Sequence, residues 1–366
     1  MHQNHGDSEP DTVFYDRPPA APSSMDAQSA PEPVAEEPKR RRPRWRRIAL
    51  VSFLVLALIG GGGLVAGGLY YRSVESDIDR VDAFDGIPAE SRPEVVATGA
   101  MNIMLLGSDS RDPDNTSGSR TDTIILAHLP ADRSSAQLIS IPRDTWVNVP
   151  RSAQGRGGRD AKINAAYAWG GVPLMVQTVE KFTGVRVDHV TIVDFSGFKE
   201  IVDALGGVEI DVEKGFTSRH SLTPDGRREF TAGRQTMDGA AALDFARERY
   251  AFADGDFARI RHQQQVIKAI LDKAASGGTL TSPTRLNSFV RATADSVAVD
   301  ESMSLVDFAM ELRHLRGGNL TFLTCPTKGT GMIGNESVVL ADKPKADKLF
   351  DAVRLDTVPE ILAAAK

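Results

Sequence analysis

The chain has 366 residues, 41% of them hydrophobic and 25% charged, with a formal net charge of −6. That composition belongs to a globular protein of one large or two smaller domains. The negative balance gives no whole-protein reason to bind nucleic acid. The single cysteine, Cys325, excludes an intramolecular disulfide and a cysteine-based zinc site. Its apolar setting, LTFLTCPT, makes it a buried small hydrophobe rather than a nucleophile.

The first hundred residues are strongly segmented. Residues 1–38 are rich in Pro, Ala, Ser and acidic residues and lack apolar periodicity, so they cannot bury enough surface to offset ordering entropy. Charge then reverses: Lys39, Arg40, Arg41, Arg42, Arg44, Arg46 and Arg47 crowd around Trp45 and close a tail of residues 1–47. Ile48 to Tyr71 carries no charged residue. At about 1.5 Å per residue this run is long enough to cross a hydrocarbon core of about 30 Å. Acidic residues follow it: Glu75, Asp77, Asp79, Asp82 and Asp85. The positive-inside rule therefore predicts a single-pass anchor in the cell membrane, with the N-terminus cytoplasmic and the remainder extracytoplasmic. A cleaved signal peptide would need a shorter apolar region and a small-residue cleavage site. The basic block alone could bind nucleic acid, but beside a span it is explained by attraction to the membrane surface. Residues 72–97, with Pro88 and Pro93, read as a stalk without regular structure, leaving 98–366 as the folded domain.

Within that domain MNIMLLG (101–107) reads as a buried strand that runs into the loop Gly107-Ser108-Asp109. Arg120-Thr121-Asp122-Thr123 leads into a second strand, IILAHL, and SAQLISI forms a third, ending in Pro142-Arg143-Asp144. Consecutive strands thus carry Asp109, Asp122 and Arg143 at or next to their ends, where open α/β sheets keep their ligands. Asp109 and Asp122 are candidates for Mg²⁺, which is usually held by one or two carboxylates with water and substrate phosphate. The competing reading is that both are turn or cap aspartates.

Residues 162–184 are expected to form helices broken at Gly170-Gly171. VDHVTIVDF reads as a strand, SGFKEIVDALGG as a helix stopped by Gly206-Gly207, and VEIDV as another strand. Residues 213–230 are polar and read as a flexible excursion. Residues 257–275 have apolar positions at helical spacing, with Arg259, His262 and Gln263 able to share a face. SMSLVDFAMELRHL, KADKLFDAVRLD and VPEILAAAK are helical patterns, LTFLTCPT is a strand, and Gly329–Gly334 contains turn signals.

The stretch from Ala242 to Gln265 concentrates arginine: Arg247, Arg249, Arg259 and Arg261. The apolar run before Arg247 points to a buried helix, in which guanidinium groups would be poorly solvated without an anionic partner. Their planar forks suit phosphate oxygens.

The motifs LLGSDSR, RTDTIIL, SIPRDTWV, KINAAYAWGG, VDFSGFKEIVDALGGVEIDV and RER…GDFARIRHQQQ, taken in order, resemble the LytR-CpsA-Psr family of envelope glycopolymer transferases. The resemblance runs from about residue 98 to about residue 275, with looser agreement beyond. It implies a three-layer α-β-α sandwich around a mixed sheet, an apolar channel for a polyprenyl chain, and Mg²⁺ as cofactor. The implied reaction moves a glycopolymer from a polyprenyl-diphosphate carrier onto peptidoglycan. The family's metal-binding aspartates fall on Asp109 and Asp122. Its diphosphate-binding arginines fall on Arg120, Arg143, Arg247, Arg249 and Arg259, its lysine on Lys162 and its glutamine on Gln263; Arg143 counts with the two aspartates among the implied catalytic residues. The chain departs from the pattern at Ala258 (often Gly), Ala165 (usually His) and His262 (often Arg), where Arg261 is a candidate substitute. The base that takes the acceptor's proton stays open between Asp109, Asp122 and a metal-bound hydroxide. Rival readings are a pyrophosphatase with water as acceptor, a transcriptional attenuator, and a silent lipid-binding protein. No nucleic-acid partner is expected.

Overall fold

The computed structural model describes residues 68–109, 121–219, 227–304 and 317–364, with positions 308, 311 and 315 between the last two ranges. The predicted tail and most of the predicted span lie outside the described residues. Among these residues no helix is long and apolar enough to cross a membrane.

The centre is a seven-stranded mixed sheet built from β1 (Asp79–Val81), β2 (Met101–Ser108), β3 (Thr121–Leu129), β4 (Ala136–Ser140), β7 (His189–Asp194), β12 (Val297–Asp300) and β13 (Leu320–Thr324). Its spatial order is β1-β12-β7-β2-β3-β4-β13. β2 runs parallel to β7 and antiparallel to β3, and β13 runs parallel to β4. Period-two alternation divides the side chains of the central strands between two buried faces. Met104, Leu106, Ile124 and Leu126 pack with α1 (Ala165–Thr183) and α6 (Lys343–Arg354), through Tyr167, Met175, Phe350 and Val353. Ile103, Ile125, Ala127 and Leu138 face the other way, toward Ile201 of α2 (Phe195–Ala204), Ile267 of α4 (Asp256–Ala274) and Phe289 of α5 (Pro283–Ser296). Helices on both faces of a mixed sheet make the three-layer sandwich expected from sequence.

A satellite core adjoins the second face. Val202 of α2 and Leu205, just past its end, pack there with Ala242 and Phe245 of α3 (Gly239–Arg247) and with the ribbon of β8 (Val208–Val212) and β11 (Gly233–Met237). Two further ribbons, β5 (Trp146–Arg151) with β6 (Gly157–Lys162) and β14 (Thr327–Ile333) with β15 (Glu336–Ala341), stand outside the main sheet. The final helix, α7 (Val358–Ala364), buries Val358.

The local chemistry explains several boundaries. Asp194 caps α2, accepting from the Gly197 N–H at 2.6 Å, and Gly206 after its end has φ 74°. α1 kinks where sequence predicts a break: Gly171 has φ 63°, a conformation that side chains with a Cβ rarely adopt, and Pro173 follows.

Two expectations are corrected. Residues 72–97 are not an irregular stalk: residues 68–76 are helical, β1 pairs in parallel with β12, and Val74, Ile78, Val81 and Ala83 are buried. The two prolines come after this segment, so the apolar residues before them remain free to join the sheet. The 213–230 excursion closes at its base, where β9 (Phe216–Thr217) pairs with β10 (Glu229–Phe230) through stacked Phe216 and Phe230; residues 220–226 lie outside the described residues. The hairpins β5–β6 and β14–β15 and the helix α5 were unannounced by the sequence patterns, and SMSLVDFAMELRHL falls largely outside the described residues.

Candidate functional site

A cavity of about 500 Å³ opens between the second sheet face and helices α2, α3 and α4. Its body is apolar. Leu105, Ile125 and Val193 form the floor, Phe198 and Ile201 come from α2, and Leu243 comes from α3. α4 contributes a single stripe, Arg259, Gln263, Val266, Ile267, Ile270 and Leu271, whose spacing keeps these residues on one helix face. That stripe changes from polar to apolar along its length. The cavity therefore has a charged head and a hydrocarbon body.

The head lies at the C-terminal ends of the parallel strands β2 and β7, where Asp109 and Asp194 line it. Asp122 enters from β3 through a β-bulge. Gly107 pairs with Thr123 and Ser108 with Thr121, which leaves Asp122 as the extra residue. Such a bulge re-aims one side chain out of strict alternation. The close approach also requires glycine at 107, since a Cβ there would meet Thr123 Cβ at 2.9 Å. Asp122 accepts a hydrogen bond from Arg143, and Arg143 Nε lies 3.7 Å from Asp144.

The arginines arrive from the end of α3, the turn after it and the start of α4. Asp238 caps α3 by accepting from the Ala241 N–H at 2.7 Å, and Arg247 is the helix's last residue. Glu248, fully buried, then organises the turn by accepting from the backbone N–H groups of Arg219, Arg249 and Ala251. Burial pushes its carboxyl up, but the backbone N–H groups of Arg219, Ala251 and Tyr250 and the Ser218 hydroxyl outweigh burial and hold it below the usual range. Asp256, in the first turn of α4, binds both Arg249 and Arg259 at 3.1 Å and keeps their guanidinium groups together.

Arg247 is the least compensated of the set. Its guanidinium lies over the Phe195 ring at 4.1 Å, and its Nε and Nη1 are buried with no hydrogen-bond partner among the described residues. Burial lowers its pKa, against the opposing pull of Asp122, Asp109 and Asp244. Arg259, 5% exposed, is shifted down by burial in the same way, and its Nε has no partner among the described residues. Buried donors without acceptors are costly, and an anion at the cavity head would satisfy them.

Of the residues singled out in sequence, Asp109, Asp122, Arg143, Arg247, Arg249, Arg259 and Gln263 line this one cavity. Arg120 lies outside the described residues. Lys162 is not in the lining; it reaches Asp144 at 4.0 Å and Glu336 at 3.8 Å, which ties it to the head only through Asp144 and Arg143. Arg261 does not take over a cavity contact: it is half exposed and pairs with Asp254 at 2.5 Å. His262 is turned away from α4's cavity face and is buried among Phe216, Phe245 and Phe252, where burial, aided by the charge of Arg261, pushes its pKa down to about 4. Cys325 is buried, and burial pushes its thiol up to about 12.

Sequence reasoning gave no role to Glu248, Asp256 or Asp194. The first two were visible as acids interleaved with the arginines, and their backbone and paired contacts give that interleaving its purpose. Asp194 was hidden by its position at the end of an apolar strand.

The mixed-sheet α/β/α sandwich thus places buried guanidinium groups and carboxylates at the head of an apolar cavity, an arrangement whose chemistry complements an amphiphile with an anionic head. The chain belongs to the LytR_cpsA_psr family, whose profile matches residues 73–354. It is 32% identical to the cell wall biosynthesis protein LcpA of Corynebacterium glutamicum, covering 89% of this chain and 68% of that protein. It is 36% identical to the polyisoprenyl-teichoic acid–peptidoglycan teichoic acid transferase TagU of Bacillus cereus, covering 63% of this chain and 74% of that protein. The crystal structure of TagV from B. subtilis superposes with a TM-score of 0.59 at 26% identity, covering 71% of this chain and 99% of that one.

Proposed function

We propose that this protein is a membrane-anchored phosphotransferase that moves a glycopolymer from a polyprenyl-diphosphate carrier onto peptidoglycan, assisted by Mg²⁺. One observation carries the reading: the cavity has guanidinium donors without partners among the described residues at one end and hydrocarbon walls along the rest. A diphosphate on a polyprenyl tail complements both. The names of the relatives support the same class of reaction. The basic block, the apolar run Ile48–Tyr71 and the acidic residues after it support a single-pass anchor with the domain outside the cell.

In this reading Arg247 and Arg259 donate N–H bonds to the diphosphate oxygens, Arg249 and Arg143 add charge, and Gln263 donates an amide hydrogen. An acceptor sugar hydroxyl attacks the phosphorus next to the glycan. A new P–O bond forms, the bond from that phosphorus to the bridging oxygen breaks, and polyprenyl phosphate leaves. The hydroxyl proton passes to a base. Negative charge grows on the phosphate oxygens during this exchange, and fixed guanidinium groups in a poorly hydrated cavity stabilise it. The apolar walls hold the tail and keep water from competing with the sugar hydroxyl.

Asp109 and Asp122 fit a Mg²⁺ site, because both carboxylates line the same head and both act on Arg247. Mg²⁺ needs no more than one or two carboxylates when phosphate and water complete the octahedron. When bound, it would neutralise phosphate charge.

The test supplies radiolabelled lipid-linked glycan together with peptidoglycan. Label is expected in the wall fraction, and Asp109→Ala combined with Asp122→Ala should abolish transfer while the lipid still co-purifies. Label released only as free glycan phosphate would replace the transferase reading with a pyrophosphatase. Unchanged transfer by the double variant would remove the metal site.

A further inference from the structure

The polar-to-apolar gradient along α4 gives the cavity a direction. From Arg259 to Leu271 the stripe covers about 18 Å at 1.5 Å per residue, ending at Leu271, which is 37% exposed. The turn that follows, Gly277–Leu280, exposes Leu280 and packs beside the start of α5, where Arg285 donates to the Gly278 carbonyl. Helix 68–76 also lies against α5. The Tyr70 hydroxyl donates to Asn287 at 3.0 Å, and the Arg291 guanidinium stands 5.8 Å from the Tyr70 ring. Tyr70 and Tyr71 leave their rings partly exposed while their hydroxyls bond to the domain, and Leu69 is 62% exposed.

This helix is docked, not tethered. Val74 and Ile78 are buried in the same apolar cluster as Ile267 and Ile270 of the cavity wall. Glu75 binds Arg80 at 2.6 Å, and Asp77 pairs with Arg291 at 3.5 Å. Its first residues, Gly68 to Tyr71, are also the last of the 24-residue apolar run read in sequence as a membrane span. In the membrane-anchored reading the chain would leave the lipid directly onto the face where Leu271, at the apolar end of the cavity, is exposed.

We propose that helix 68–76, the Gly277–Leu280 turn and the exposed side of α5 form a docking face for the lipid bilayer, which holds the apolar end of the cavity against the membrane surface. The inference rests on the membrane-anchored reading and adds a fixed orientation to it. A carrier lipid could then pass from bilayer to cavity with its tail never fully exposed to water, a transfer that a domain on a loose stalk would not favour. Amphipathic tyrosines are suited to such a boundary.

The test uses the full chain in phosphatidylglycerol–phosphatidylethanolamine vesicles containing doxyl-labelled lipid. Leu280→Cys and, separately, Ser288→Cys carry a bimane fluorophore; Asn335→Cys, on the β14–β15 hairpin beyond the opposite edge of the sheet, is the control. These positions are exposed, and native Cys325 is buried. Quenching several-fold stronger at 280 and 288 than at 335 is expected. Equal quenching at all three positions in protein that floats with the vesicles would overturn the docking face and leave the anchor intact. Failure to float would overturn the anchor, and the docking face with it.

Discussion

At the scale of single residues, function and stability pull Arg247 in opposite directions. Its buried N–H groups lack acceptors among the described residues, and its charge is only partly offset by Asp109, Asp122 and Asp244. Arg247→Met keeps most of the packing on Phe195 and removes the desolvated charge. Ligand-free stability is expected to hold or rise by about 1 kcal/mol, while the rise in Tm on adding a polyprenyl diphosphate is lost. A marked fall in ligand-free Tm would instead make Arg247 a structural cation. His262 is a different case, because its ring serves the core. Its folded pKa of about 4 lies below the unfolded value of about 6.5. The unfolded chain therefore binds the proton more readily. The stability linked to His262 is complete above pH 6.5 and is lost as pH falls toward 4. His262→Phe should remove on the order of 1 kcal/mol per pH unit of acid sensitivity in that window. Urea midpoints at pH 7 and pH 5 measure it, with a shallower fall expected in the variant. His128, also lowered mainly by burial, keeps some acid sensitivity of the same sign in both proteins.

At the scale of elements, the site depends on a bulge that no periodicity revealed. The strands β2, β3, β4 and β7 were legible because each is a run of apolar, often β-branched residues bounded by turn chemistry. The same signal announced that Asp109, Asp122 and Arg143 sit near strand ends. It did not announce that Asp122 is the unpaired residue of a bulge, since a bulge is a property of two strands in register. Gly107→Ala tests its importance. The added methyl meets Thr123 at 2.9 Å, so either the bulge moves or the strands separate. A loss of about 1–3 kcal/mol in urea unfolding is expected, together with a larger proportional loss of transfer, because Asp122 and its partner Arg143 shift with the bulge. Transfer that falls only in proportion to the folded fraction would detach the bulge from function. The arginine turn shows the same limit on sequence reading. Its cations were plain, but their pairings were not: Lys162 reaches Glu336 and Arg261 pairs with Asp254. Lys162 belongs to a ribbon outside the main sheet, and Arg261 is on α4's far side, two residues from each cavity-facing neighbour.

At the scale of the whole molecule, the boundary drawn at residue 98 fails because composition cannot register long-range burial. Asp79–Val81 is too short to be recognised as a strand, yet it completes the sheet edge beside β12, more than two hundred positions away in the chain. Arg92, read as part of a stalk, forks onto Glu180 at 2.7 Å, and Glu180 is 2% exposed. A chain starting at residue 98 would lose Val74, Ile78 and Val81 from the core and leave the Glu180 carboxylate buried without its cation. Burying one such aliphatic side chain is worth about 1.5–3 kcal/mol, and removing one partner of a buried ion pair costs about 3–5 kcal/mol. Ordering the segment consumes part of that gain, so the truncated chain should be less stable than one starting at residue 68 by several kcal/mol. Arg92→Ala in the full-length protein isolates the ion pair and should account for about half of the difference. Thermal and urea unfolding of the two truncated chains, the full-length protein and its Arg92→Ala variant decides the matter. Equal stability of the two truncated chains would return residues 72–97 to the role of a stalk.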